Sequence, residues 1–139
     1  MIELDNITSL EVQEPFLNEI AKLFTNKEIE LLITSNIEIQ QINLEHRNID
    51  KSTDVLSFPY EDMPMSPLGS IVISADYVKE KAKEFSHQES DELALLFIHG
   101  LLHILGYDHE VDNGEMRAKE KELIEQFNLP KSLIIRTEG

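Results

Sequence analysis

The stretch Leu93–Leu105 constrains the fold more than any other part of the chain. Its only polar side chains are His99 and His103. A helix that is apolar nearly all round has to be buried, so the rest of the chain must supply the elements that cover it. The stretch is well short of the roughly 20 apolar residues that span a bilayer. The expectation is a buried central helix in a soluble domain. On that helix the two histidines lie one turn apart on the same face. Burying an unpartnered polar side chain costs on the order of 1–3 kcal/mol. Two imidazoles on one buried face therefore need a shared explanation, and a metal ion that takes one nitrogen from each supplies it.

The next residues extend this reading. The run continues His103-Ile104-Leu105-Gly106-Tyr107-Asp108-His109. Gly106 can end the helix, because glycine accepts the left-handed conformation found there. The turn would bring His109 back toward His99 and His103. Three convergent imidazoles with no fourth ligand in the motif are the pattern of a catalytic zinc site. Cysteine is absent, which excludes thiolate ligands and disulfides. A closed structural site is the alternative, completed by Asp108, Glu110 or Asp112. Asp108 could equally orient a ligand imidazole or stabilise the turn. His46 and His87 read as ordinary surface or satisfied core histidines.

The spacing also matches the metal frame of the metzincin proteases, with three histidines and a glycine three residues before the last. There the residue after the first histidine is the general-base glutamate. Here it is Gly100. Without that carboxylate, nothing in the motif takes the proton from zinc-bound water during attack on a peptide. The frame is therefore expected to serve another substrate.

With 139 residues, the chain reads as one domain, residues 1–139, able to bury a core of its own. Its net charge of −15 disfavours non-specific nucleic-acid binding, which relies on basic patches. A nucleic-acid role would need a local site or a partner that delivers the substrate. Residues 1–6 lack the features of a signal peptide, and a cytoplasmic protein is expected.

Periodicity and punctuation give the remaining elements. Strands are expected over Ile2–Leu4, Glu28–Thr34, Asp54–Tyr60 and Leu68–Ser74. Helices are expected over Gln13–Phe24, Ala75–Phe85 with Ser74 as cap, and Glu115–Phe127, stopped by Pro130. Ser35 could cap a further helix over Ile37–His46, although its apolar period is ambiguous. A polar loop, Arg47–Thr53, follows. Ser86 and Glu89 have capping-box spacing at the start of the histidine helix. Mixed strands and a helix-rich C-terminal half point to the α+β class.

Three blocks together resemble the YbeY family of bacterial endoribonucleases and rRNA maturation factors. They are the run from His99 to His109, Asn43–Arg47 followed by Ser52–Pro59, and Leu68–Ser74. The blocks stand in the family's order, and the resemblance covers essentially the whole chain. It implies a small mixed sheet packed against several helices, with a buried central helix carrying two zinc-binding histidines. It implies one zinc ion held by His99, His103 and His109, with magnesium-like ions able to substitute or join. Arg47, otherwise an exposed loop arginine, would lie at the metal cleft and act on RNA, forming the catalytic set with the three histidines. The implied activity is metal-dependent cleavage of single-stranded RNA, including 16S rRNA 3′-end maturation, with a role in ribosome quality control. The implied partners are rRNA and ribosomal particles, with ribosomal proteins or a ribosome-associated GTPase beside them. Two further readings stand next to this one: a non-enzymatic ribosome-assembly factor with a structural metal, and a metzincin-like hydrolase. One departure is Ser70, where the family commonly has aspartate. Thr53, Asp54 and Ser57 read as turn, cap and strand residues rather than catalysts.

Overall fold

A computed structural model describes residues 1–108 and 110–138, without the side chains of Ile135, Thr137 and Glu138. Four strands, β1 (Ile2–Asn6), β2 (Ile29–Thr34), β3 (Val55–Pro59) and β4 (Gly69–Ser74), form one sheet in the order β1-β2-β4-β3. β2 is parallel to both β1 and β4, and β3 runs antiparallel on the outer edge of β4. The sheet is therefore mixed. Pro59, which has no N–H to give a ladder, falls on an edge strand as it must. The helices are α1 (Glu14–Lys22), α2 (Asn36–Arg47), α3 (Ala75–Glu84), α4 (Glu89–Ile104), α5 (Glu115–Gln126) and α6 (Ser132–Glu138).

Strand alternation builds two cores. Ile29, Leu31 and Ile33 of β2 point to one face and are in register with Gly69, Ile71 and Ile73 of β4. Those isoleucines and Leu31 are buried against Phe97, Ile98 and Leu101 of α4. The opposite face carries Leu32, Leu56, Phe58 and Val72, covered by Ile39 and Ile42 of α2. Beyond α4, Leu95 packs against Ile124 of α5 and Leu133 of α6. The apolar stretch is thus enclosed from both sides, and α+β is the observed class. No helix among the described residues is long and apolar enough to cross a membrane.

Gly100 sets how closely α4 approaches the sheet. A Cβ there would come within 3.0 Å of Ile71 Cγ2 and 3.3 Å of Val55 Cγ2. The position that a protease would use for its base is here the contact between helix and sheet, and a side chain there would require Ile71 and Val55 to give way.

Several boundaries differ from the sequence expectation. Ser86 does not open α4. It adopts φ 56° and closes α3, with His87 N–H donating to the Ala82 carbonyl at 3.0 Å and Ser86 N–H to Lys83 at 3.4 Å. This is the double bond pattern of a left-handed helix stop. The capping box does not form, and Gln88 takes the N-cap of α4 without a side-chain bond. Arg47 is the last residue of α2 rather than a loop residue. The ambiguous period of α2 is resolved by its one-sided contact: Ile39 is buried, while Ile37 is 84% exposed. β3 starts at Val55, because Asp54 caps it, its Oδ1 accepting from Val55 N–H at 2.8 Å. Helix α6 was not foreseen. Helix α5 stops before Pro130 is reached, at Gln126, with Asn128 at φ 55° and Leu129 N–H donating to the Ile124 carbonyl at 2.9 Å, and Ser132 then starts a new helix.

Candidate active site

Helix α4 ends as its glycine requires. Gly106 has φ 105°. Its N–H donates to the His103 carbonyl at 3.1 Å, and Tyr107 N–H donates to Leu102 at 3.0 Å. This stop turns the chain back at the end of the histidine-bearing helix. His109 itself lies outside the described residues, so its expected approach to the other two is untested. Asp108 continues the turn: its Oδ1 accepts from Glu110 N–H at 3.0 Å, the turn-stabilising alternative of its two readings.

His99 and His103 do come together. Their Nε2 atoms are 3.2 Å apart, and their ring centroids 4.7 Å apart with the planes at 77°. Two such nitrogens can share a proton. They can also direct two lone pairs at one cation. Bonds of about 2.0–2.1 Å to a tetrahedral zinc place two ligand nitrogens about 3.3 Å apart. The observed separation and the borderline-soft imidazole donors therefore fit zinc. Among the described residues no complete metal-binding group of three is present; the third candidate, His109, is not among them.

The far nitrogen of His99 has its own partner. Nδ1 lies 3.4 Å from Glu120 Oε2, a long contact reaching across from α5. Glu120 is 3% exposed. A carboxylate at Nδ1 favours the tautomer that carries its proton there, which leaves the Nε2 lone pair for a ligand. Sequence reasoning missed Glu120. On α5 it is one acid in the run Glu115–Glu125, and only packing against α4 singles it out.

The histidines open onto a cleft of about 400 Å³ lined by Arg47, Thr53, Asp54, Val55, Ser57, His99, His103, Asp108 and Glu110. Four elements converge there: the end of α2, the start of β3, the last turns of α4, and the loop after it. Arg47 is exposed at the end of α2, where Asn48 in the left-handed region stops the helix. Asn43 of the same helix donates from Nδ2 to the Lys51 carbonyl at 3.0 Å and so ties down the loop that leads to Thr53. Apart from the two histidines, Arg47 is the one basic side chain among the described residues of the lining. Thr53 and Asp54 make local bonds, Thr53 Oγ1 donating to Asp54 Oδ1 at 3.3 Å. Ser70 is elsewhere. It alternates with Ile71 on β4 and faces a groove with Glu3, Asp5 and Glu30, so the departure from the family's aspartate does not alter the lining of the histidine cleft.

A second polar cluster lies beside the cleft. His87 Nε2 is 2.8 Å from Glu92 Oε1, and His87 Nδ1 is 3.0 Å from Ser132 Oγ. The side chains of His87 and Glu92 are 1% and 0% exposed. Arg136 of α6 donates to Asp54 Oδ2 at 3.0 Å. It also forms an ion pair with Glu92 at 3.3 Å, without hydrogen-bond alignment. Burial pushes the Glu92 carboxyl above the usual carboxylate range, while Arg136 and His87 pull it back down. His87 is thus a satisfied core histidine, one of the two ordinary roles expected for it. His46, in the last turn of α2, is exposed and lies against Phe58.

Comparison with known proteins places the chain among relatives of one family. The family model "Endoribonuclease YbeY" matches residues 3–128. An Endoribonuclease YbeY of Sulfurimonas denitrificans is 63% identical, covering all of both chains. One of Nautilia profundicola is 59% identical over 99% of each chain. One of Campylobacter jejuni is 61% identical over 88% of this chain and 91% of its own. A solution structure of a Thermotoga maritima protein is 31% identical and superposes with a TM-score of 0.58, covering 90% of this chain and 87% of that one. The chain belongs to the YbeY family of endoribonucleases.

Proposed function

We propose that this endoribonuclease cuts single-stranded RNA in the cleft between Arg47 and the histidines of α4, with zinc as its metal. Its work is rRNA processing, and the finer assignment is maturation of the 16S rRNA 3′ end and ribosome quality control. The observation that carries the reading is the position of Arg47 on the same cleft as the paired Nε2 atoms of His99 and His103. His99, His103 and His109 would hold one ion. When bound, such an ion supplies Lewis-acid polarisation of a phosphoryl oxygen and a lower pKa for water. The chain's own residues do the rest. Arg47 offers a planar fork that grips a phosphate through two hydrogen bonds, which lysine cannot do. Glu120 fixes the tautomer and ring orientation of His99. Gly100 leaves the helix without a protease's base, which argues against a peptidase.

The net charge of −15 fits a cytoplasmic enzyme that receives its RNA on ribosomal particles, through ribosomal proteins or a ribosome-associated GTPase. An acidic exterior keeps stray RNA away, and affinity rests on the local site. Elemental analysis and cleavage of a single-stranded oligoribonucleotide with and without chelator test the metal; cleavage unaffected by full metal removal would refute it. Arg47→Ala is expected to lower cleavage by roughly 100-fold with bound zinc retained. His109→Ala is expected to lose both. Zinc lost with cleavage intact in the folded His109 variant would favour an ion with a purely structural role.

A further inference from the structure

Counting side chains alone, before any metal ion is bound, the cleft carries more negative than positive charge. Among its described lining residues, Arg47 faces three carboxylates, Asp54, Asp108 and Glu110. A phosphodiester entering there is attracted by Arg47 and by a bound cation, and repelled by each carboxylate whose charge is left uncancelled. One carboxylate is engaged from behind. Asp54 turns Oδ1 to its own backbone, accepting from Val55 N–H at 2.8 Å. Its Oδ2 accepts from Arg136 at 3.0 Å. The Asp54 carbonyl accepts from Ser74 N–H at 2.9 Å, which fixes the residue to the end of β4. Arg136 is itself held in place. Its side chain is 19% exposed, its guanidinium carbon lies 5.9 Å over the Phe85 ring, and buried Glu92 sits 3.3 Å away. Arg136 belongs to α6, beyond residue 128, where the match to the family model ends.

We propose that Arg136 is a positioning residue for RNA binding: from the C-terminal helix it cancels and fixes the charge of Asp54, so that a substrate phosphate reaches Arg47 without an opposing carboxylate at the cleft wall. The inference rests on the reading that RNA binds beside Arg47. It assigns α6 a part in substrate affinity rather than in packing alone. Removing the guanidinium frees one negative charge near the phosphate path, and a like charge in a near-surface dielectric is felt over several ångströms. Because that repulsion acts through solvent at the mouth of the cleft, salt screens it.

The test measures KM and kcat of the full-length zinc-loaded protein on a labelled single-stranded oligoribonucleotide, across a series of salt concentrations. Arg136→Gln is expected to raise KM by roughly 3- to 10-fold with kcat little changed, and the defect is expected to shrink as salt rises. Adding Asp54→Asn to that variant is expected to return KM to within about 2-fold of the original, since the asparagine keeps the bond to Val55 N–H and loses the charge. Asp54→Asn alone is expected to lower KM, and it decides the matter if Arg136→Gln does not fold. A brace without an electrostatic role reverses the sign at Asp54: Asp54→Asn raises KM as Arg136→Gln does, and the double variant shows no rescue. Either result overturns the proposal. Arg47→Ala is assayed alongside. If it leaves cleavage intact, the cleft reading has failed; if it impairs cleavage while the Arg136 and Asp54 arms give the brace pattern, only this inference falls.

Discussion

Two histidine–glutamate contacts lie on α4 and its flanks, and they serve opposite ends. His99 meets Glu120 with Nδ1 and turns Nε2 toward His103 and a cleft, its side chain 26% exposed. His87 meets Glu92 with one nitrogen and Ser132 with the other, its side chain 1% exposed. The residue types are the same. What differs is the destination of the second nitrogen. Where it ends on a hydroxyl inside the protein, the imidazole joins helices together. Where it faces another imidazole at the rim of a cleft, it can hold a ligand, and the buried carboxylate behind it becomes an orienting partner. A histidine's role thus follows from both of its nitrogens, and burial alone does not assign it.

The contrast can be broken most sharply at His103. His103→Ala is expected to reduce RNA cleavage by more than about 100-fold, since loss of a ligand exceeds the loss of an outer partner. It should also abolish zinc binding in elemental analysis. Retained zinc and activity would place the metal centre elsewhere. Glu120→Gln tests the orienting role. Metal affinity is expected to fall by about 10- to 100-fold in a competition titration with a chromophoric chelator, with the fold intact by circular dichroism. No change would leave Glu120 a simple buried acid.

His87→Ala belongs to the other side of the comparison. Here stability is expected to drop by roughly 1.5–3 kcal/mol in urea unfolding, the range for a hydrogen bond to a charged partner, while cleavage per folded molecule stays the same. A catalytic defect would erase the distinction between the two clusters. The smallest effect is a pH dependence. Burial raises the Glu92 carboxyl above the usual carboxylate range, so the folded chain binds that proton more tightly than the unfolded one. The resulting stability is fully present below the unfolded pKa and fades as pH rises through the folded one. Unfolding of the wild type and of Glu92→Gln is compared from about pH 4 upward. The wild type should lose ground to the variant as pH rises; the reverse trend would mean that Arg136 and His87 outweigh desolvation.

Much of this was legible in the sequence because it depends on local chemistry. The apolar run over Leu93–Leu105 required a buried helix whatever covered it. The spacing of His99 and His103 put them on one face, and Gly106 supplied the only backbone freedom the stop needed. Strand alternation in Ile29–Thr34 and Gly69–Ser74 needed no partner to be read. Errors fell where two local solutions compete. Ser86 suits an N-cap by composition, yet it was taken by the stop of the preceding helix, whose two hydrogen bonds outbid one capping bond. Arg47 looked like a loop residue because its neighbours are polar on all sides; the helix boundary there is set by Asn48.

The sequence by itself determined the composition of the histidine face and the absence of a protease's base, since spacing and residue identity are properties of the chain alone. Only the tertiary structure decided which polar residues join that face. Glu120 and Arg136 are unremarkable in their own helices, and Asp54 reads as a strand cap. They become a partner of His99, a counter-charge and a cleft wall because α5, α6 and β3 pack around one buried helix. Electrostatic contacts act through space at distances of a few ångströms, and such proximity between residues distant in the chain is fixed by the way the helices and sheet cover α4.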